Sequence, residues 1–290
     1  METGCTMHLK LSRPIGIYEK ALPADLSWEE RLVHAAKAGY DYVEISIDES
    51  DSRLARLDWT GSEIAALHQA ITNTDIPILT MCLSAHRKYP LGSASPEIRK
   101  RGLDIFRKAI DFAGEIGLRI IQVNGYDVFY EQGDDQTEAR FFEGMHQGVR
   151  WASQAGVMLG LENVDTPFVE SLDKALRVVH EVNSPWFHLY PDMGNLVAAG
   201  YYPPDEFPLA KNHLVAVHVK DALPGVVRGV PFEKGNVPFT ETFQALVQIG
   251  FHGPLTVEMW ADKGTDVDPL SAVIEARKLV ETLTKRAQTE

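Results

Sequence analysis

The stretch Ala155-Gly156-Val157-Met158-Leu159-Gly160-Leu161-Glu162-Asn163-Val164-Asp165 holds the pattern that decides the fold. A segment of helical period, Thr137 to Ala155, runs into Gly156, a residue that enters the left-handed conformation without steric cost and so stops helices. A short apolar run, Val157 to Glu162, follows and closes on a carboxylate. The same order of helix, glycine and strand recurs at Gly39 (Ala38-Gly39-Tyr40-Asp41-Tyr42-Val43), Gly117 and Gly250. Working outward, the spacing predicts eight strands: Ile15 to Tyr18, Tyr42 to Ile47, Ile78 to Leu83, Ile120 to Val123, Val157 to Glu162, Phe187 to Tyr190, Leu214 to His218 and Leu255 to Glu258. Helical segments alternate with them: Ser27 to Ala38, Thr60 to Asn73, Ser95 to Ile116, Thr137 to Ala155, Ser171 to Val182, an irregular piece around Pro204 to Asn212, Phe239 to Ile249 and Pro269 to Lys285. Ser27 with Glu30 three residues on reads as a capping box. Strand followed by helix, repeated eight times, predicts an α/β fold of the (β/α)8 TIM-barrel kind. A doubly wound sheet is the competing architecture, but no glycine-rich phosphate loop follows the first strand.

No low-complexity linker divides the 290 residues, so one domain over 1–290 is expected, with 1–13 a loose N-terminal extension and Met7 an alternative start. Hydrophobic residues make up 44% and charged residues 24%, which excludes a disordered chain. The net charge of −13 argues against a nucleic-acid footprint or an anionic membrane surface, while leaving room for a local basic pocket. Cys5 and Cys82 sit far apart in sequence, one in the loose N-terminus and the other inside an apolar run, so no disulfide framework and a reducing cytoplasm are expected. No apolar run is long enough for a membrane span, and no signal-peptide core is visible.

In such a barrel the chemistry sits at the C-terminal ends of the strands. Four polar residues occupy those ends on strands five to eight: Glu162, Asp192 (Tyr-Pro-Asp-Met-Gly-Asn), His218 (Val-His-Val-Lys-Asp) and Glu258 (Val-Glu-Met-Trp). Their separations of 30, 26 and 40 residues each suit one strand-helix repeat. Each alone reads equally well as a solvated loop residue or a cap; all four at equivalent positions point to a shared site. Three carboxylates aimed at one point repel one another unless a cation sits among them. Oxygen donors with one imidazole suit Mg²⁺, Mn²⁺, Co²⁺ or Zn²⁺.

Several longer segments now carry a resemblance: Pro-Ile-Gly-Ile-Tyr-Glu-Lys-Ala-Leu (14–22), Glu-Ile-Ser-Ile-Asp-Glu (44–49), Met-Cys-Leu-Ser-Ala-His-Arg-Lys-Tyr-Pro-Leu-Gly-Ser (81–93) and Gln-Val-Asn-Gly-Tyr-Asp-Val-Phe-Tyr-Glu (122–131). With the four strand-end segments and Trp260, they make the chain resemble the 3-epimerases of L-ribulose 5-phosphate and L-xylulose 5-phosphate, within the xylose-isomerase-like barrels. The resemblance implies that Glu162, Asp192, His218 and Glu258 ligate one divalent metal, and that Glu162 and Glu258 are also the acid/base pair. Inversion at C3 needs a proton taken from one face and returned to the other, which two carboxylates can supply.

For the substrate, His86 is expected to contact sugar hydroxyls or phosphate, with Arg87 and Lys88 read as solvated loop. Lys220 either orients substrate or pairs with Asp221. Arg228 and Lys234 flank the loop after strand seven, a region where barrels often bind phosphate. Glu44 and Glu19 either reach the pocket or are structural, and Tyr18, Trp59 and Trp260 either wall the pocket or belong to the core. The other histidines read as surface or packing residues. Two departures from the family pattern, Pro-Phe-Glu-Lys-Gly (231–235) in place of Pro-Phe-Gly-Glu-Gly and Ala85 in place of a glycine, leave the substrate's tail open. Alternatives are a hexulose-6-phosphate isomerase, an unphosphorylated ketose 3-epimerase and, more remotely, an apurinic-endonuclease-like nuclease, which would need a histidine-rich multi-metal cluster and a positive groove. The expected partner is a small-molecule ketose or ketose phosphate, with no nucleic acid and no membrane; a homo-oligomer is compatible with the fold.

Overall fold

A computed structural model describes residues 13–261 and 268–289. The expected loose extension, with Cys5, Met7 and His8, lies outside the described residues except for Arg13. Eight parallel strands form one sheet: β1 (Ile15–Tyr18), β2 (Tyr42–Ile47), β3 (Ile78–Leu83), β4 (Ile120–Asn124), β5 (Met158–Glu162), β6 (Phe187–Leu189), β7 (Val217–Val219) and β8 (Leu255–Val257). Their order is β6-β5-β4-β3-β2-β1-β8-β7. Parallel bridges Leu189↔Leu214 and Asp192↔His218 join β6 to β7 and close the ring. The chain folds as a TIM barrel. Among the described residues no helix is long and apolar enough to cross a membrane.

Local chemistry explains the units. Gly39, Gly117, Gly156 and Gly250 take φ of 84°, 82°, 67° and 76°, the left-handed stops that their recurrence predicted. Ser27 and Glu30 form the expected capping box, with Ser27 N–H donating to Glu30 Oε2 (2.8 Å) and Glu30 N–H to Ser27 Oγ (3.3 Å). The seventh strand differs from expectation, running Val217–Val219 rather than Leu214 to His218. Pro191 has no N–H to give, so the β6–β7 seam holds by separate contacts: Val215 N–H to Leu189 O (2.9 Å) and His218 N–H to Pro191 O (2.8 Å). A short helix that the sequence did not signal, Met193–Ala198, follows that seam.

Alternation along β2 sets up the barrel interior. Val43, Ile45 and Ile47 belong to the apolar core, whereas Tyr42, Glu44 and Ser46 face the barrel interior and meet Thr256 of β8, His218 of β7 and Tyr18 of the neighbouring β1. Large rings enter this interior because two strands offer glycine. A Cβ on Gly16 would lie 2.2 Å from the Tyr42 ring, and one on Gly160 would lie 2.7 Å from Tyr190 Cβ. The interior below the strand ends is thus filled with polar and aromatic groups that touch the site from beneath.

Candidate metal centre and active site

The four strand-end residues converge. One ligand atom from each of Glu162, Asp192, His218 and Glu258 lies within 4.8 Å of the others, and all four residues are buried. His218 presents Nδ1 to the carboxylates: Glu162 Oε1 at 3.0 Å, Glu258 Oε2 at 3.4 Å and Asp192 Oδ2 at 3.9 Å. Each carboxylate has one oxygen committed or free in a way that suits ligation. Glu162 Oε2 accepts from Gln122 Nε2 (2.5 Å) and Asn124 Nδ2, leaving Oε1 facing His218. Asp192 Oδ1 accepts the Asn195 N–H (2.8 Å) and caps the short helix after it. Asp192 Oδ2 and Glu258 Oε2 are buried without a hydrogen bond. Three buried carboxylates beside one imidazole nitrogen outnumber the single Lys220 ammonium that reaches them and fit a divalent cation, because anionic oxygen removed from water needs compensating positive charge.

Lys220 supplies the positive charge present in the chain itself. Its Nζ lies 2.8 Å from Asp192 Oδ2 and 3.4 Å from Glu258 Oε2, and donates to Asn195 Oδ1 (2.8 Å). Burial, opposed by Lys220 and reinforced by the charges of Glu258 and Glu162, pushes the Asp192 carboxyl up to about 8. Burial tends to deprotonate His218, but Glu44 and Glu258 overcome it and hold the ring's pKa well above its usual value. At neutral pH the cation-free cluster therefore keeps protons that a metal must displace. Below about pH 8 those protons compete with the metal, so apparent affinity should rise as pH rises toward 8. Mn²⁺ titration from pH 6 to 9, repeated at pH 7 in two buffers of different ionisation heat, checks this; constant affinity with no proton release contradicts it.

A cavity of about 360 Å³ opens above the cluster. Tyr18 and Trp260 wall it with rings in an edge contact 6.3 Å apart, as one reading of the sequence expected. Trp59 instead packs on Phe112 and does not line it. Five cationic residues line the cavity, namely Lys20, Arg53, Arg87, Lys220 and Arg228. Lys20 pairs with Asp48 (2.6 Å) and Arg53 with Asp48 and Glu19 (3.4 and 3.7 Å). Among the described residues, Arg87 and Arg228 have no salt bridge, and Arg87 Nε is buried without a hydrogen bond. Arg87 lies over Tyr126 and Phe129, and Arg228 over Trp260.

Three residues sit elsewhere than the sequence suggests: His86 and Glu44 lie away from the cavity and Arg87 lies at it. His86 is absent from the cavity lining: its Nε2 meets Gly102 O (3.1 Å), its ring packs edge-on against Phe106, and burial pulls its pKa down to about 4. It is a neutral packing group, and its neighbour Arg87, read as solvated, takes the place at the cavity. Glu44 is fully buried beneath the cluster and touches His218 rather than the cavity. Glu19 is likewise structural, bridging Arg31, Arg53 and Arg56. Asp221 does not pair with Lys220; it accepts the N–H groups of Ala222 (2.9 Å) and Gly235 (2.8 Å) and so pins the loop after β7. In that loop Glu233 holds φ 64°, a left-handed conformation, at the position where the family pattern has glycine. Lys234 lines a neighbouring cavity instead. Gln122 and Asn124 were the residues missed, although their alternation on β4 places both inward beside Glu162.

Residues 32–283 match the family described as the xylose isomerase-like TIM barrel. The chain is 49% identical over 267 residues to L-ribulose-5-phosphate 3-epimerase UlaE of Salmonella typhimurium, covering 92% of this chain and 93% of that protein. It belongs to the L-ribulose-5-phosphate 3-epimerase family. The Escherichia coli member of that name is 47% identical over 274 residues, covering 94% of this chain and 96% of its own length. Among solved structures, a D-allulose 3-epimerase from Methylomonas sp. superposes with a TM-score of 0.79 at 21% identity, covering 94% and 98% of the two chains. An L-ribulose 3-epimerase gives 0.77 at 18% identity and covers 96% of each. At these identities the two structures attest the shared barrel. As a member of the 3-epimerase family, the chain is a carbohydrate epimerase.

Proposed function

We propose that the protein inverts C3 of a ketose 5-phosphate, interconverting L-ribulose 5-phosphate and L-xylulose 5-phosphate, with one divalent cation from the group Mg²⁺, Mn²⁺, Co²⁺ and Zn²⁺ held by Glu162, Asp192, His218 and Glu258. The observation that carries this reading is the placement of two carboxylates, Glu162 and Glu258, three strands apart in the ring of eight, on either side of His218 under one cavity. When bound, a cation held by these four residues would supply Lewis acidity that makes the ketose C3 proton easier to remove. One glutamate accepts that proton and leaves a planar enediolate. The other, in its acid form, returns a proton to the opposite face, and exchange with water resets the pair. Gln122 and Asn124 hold Glu162 in place, while Tyr18 and Trp260 shield the reacting carbon from bulk water. Arg87 and Arg228, the cavity-lining cations that make no salt bridge among the described residues, receive the phosphate. A phosphorylated substrate belongs inside the cell, which agrees with a cytoplasmic site of action for this single barrel domain.

The test is a screen of ketoses and ketose phosphates for exchange of the C3 proton in heavy water, with each metal and with chelator. Exchange at C3 that depends on metal and favours the phosphorylated pentuloses is expected. Chelation should abolish it, and His218→Ala or Asp192→Asn should lose metal affinity while the fold persists. Full affinity and rate in either variant would show the site to be misassigned.

A further inference from the structure

Beneath the carboxylate cluster, Glu44 on β2 is completely buried and both of its oxygens are used. Oε1 lies 2.7 Å from His218 Nε2. Oε2 accepts from Thr80 Oγ1 (2.7 Å) and from the Tyr190 hydroxyl (2.8 Å). The Tyr190 oxygen in turn meets Thr256 Oγ1 (2.5 Å), and Thr256 Oγ1 meets the Tyr42 hydroxyl (2.7 Å). Each hydroxyl has a single proton, which fixes the direction of the chain. Tyr190 gives its proton to Glu44, so it accepts from Thr256, and Thr256 accepts from Tyr42. Every hydrogen bond reaching Glu44 from this side therefore arrives as a donor.

A carboxylate can only accept. With Oε2 already taken by two hydroxyl donors, Oε1 is matched to a donor from His218, and Nε2 must carry a proton. In a neutral ring the lone pair then lies on Nδ1, the nitrogen that faces Glu162, Glu258 and Asp192. We infer that Glu44 is a positioning residue that fixes the Nε2–H tautomer of His218 and so presents Nδ1 to the cation. The inference rests on the metal reading proposed above. Glu44 acts from below, since it does not border the cavity and has no path to substrate. Carboxylate partners of this kind hold a ligating ring in orientation and raise its basicity, and their loss weakens metal binding by about 10- to 100-fold.

The test uses Zn²⁺ as probe and two measurements. In ¹⁵N-labelled, Zn²⁺-loaded parent protein, the His218 spectrum should show a protonated Nε2 and a ligated Nδ1; a proton on Nδ1 with Nε2 ligated overturns the inference and needs no variant. In Glu44→Gln, chelator competition should show Zn²⁺ binding weakened by about 10- to 100-fold with the helical spectrum retained. Parent-like affinity in that variant also overturns it. If Glu44→Gln does not fold, the labelled parent decides alone. A parent protein that takes up no Zn²⁺ and shows no metal-dependent exchange defeats the metal reading itself, and the positioning role falls with it; Zn²⁺ uptake with the wrong tautomer defeats the positioning role only.

Discussion

Glu162→Gln and Glu258→Gln should each reduce net epimerisation by about 10²- to 10⁴-fold, the range spanned by loss of a positioned acid or base. The amide is the informative replacement because it keeps an oxygen able to ligate while removing basicity. Inversion requires both faces of the enediolate, so each variant loses the product-forming step. The remaining carboxylate still faces one epimer, however, and can exchange that epimer's C3 proton with solvent. Each variant should therefore wash label into one epimer alone, and the two variants into opposite ones. The structure adds a difference between them. In Glu162→Gln the amide oxygen is drawn to the donors Gln122 and Asn124, which turns the NH₂ toward His218, whereas the donor near Glu258 Oε2 is the Lys220 ammonium, 3.4 Å away within the cluster itself, which keeps the amide oxygen there. Metal affinity should fall further in Glu162→Gln than in Glu258→Gln, so rates must be compared at measured metal occupancy. Parent-like epimerisation in either loaded variant, or label passing between C1 and C2, would replace the two-base mechanism with an isomerase.

Glu162 and Glu258 were legible because a strand that runs from a glycine stop, Gly156 or Gly250, to its polar terminus leaves little freedom in where that terminus points, whereas Asp192 and His218 were legible only from their spacing along the strand-helix repeat. Residues whose direction depends on a turn were not. Ser84–Arg87 forms a 3-10 turn, in which successive side chains rotate by about 120°, so neighbouring His86 and Arg87 face opposite environments. Sequence alone favoured the histidine for its chemistry; packing against Phe106 decided for the arginine. Glu44 shows a second limit. Its inward parity on β2 could be read, but its partner His218 comes from β7, and only closure of the barrel brings the two to 2.7 Å. Lys220 and Asp221 are adjacent in sequence and opposite in charge, yet each serves another element, the cluster in one case and the loop backbone in the other.

Loss of Arg87 should cut kcat/KM for the ketose 5-phosphate by about 10- to 150-fold, the equivalent of the ~1.5–3 kcal/mol carried by a hydrogen bond to a charged group. The other cavity cations are already committed. Lys20 and Arg53 are neutralised by Asp48 and Glu19, and Lys220 by Asp192 and Glu258, so a phosphate reaching them would have to break an existing pair. Among the described residues Arg87 makes no salt bridge, and its guanidinium is held by a hydrogen bond to Tyr126 and over the rings of Tyr126 and Phe129 with Nε unused, which preorganises it at little entropic cost. Arg87→Met keeps the apolar contact with those rings and removes the charge. Because binding energy from a remote phosphate also steadies the reacting carbon, part of the loss should appear in kcat and not only in KM. The control is the unphosphorylated ketulose: its much lower C3 exchange rate should change little, so the preference for phosphate narrows. Arg87→Lys should restore only part of the preference, since an ammonium cannot reproduce the planar fork. Combination with Arg228→Met should be less than additive if both residues grip one phosphate. An undiminished phosphate preference in Arg87→Met, or an equal fall for both substrates, would move the phosphate away from Arg87.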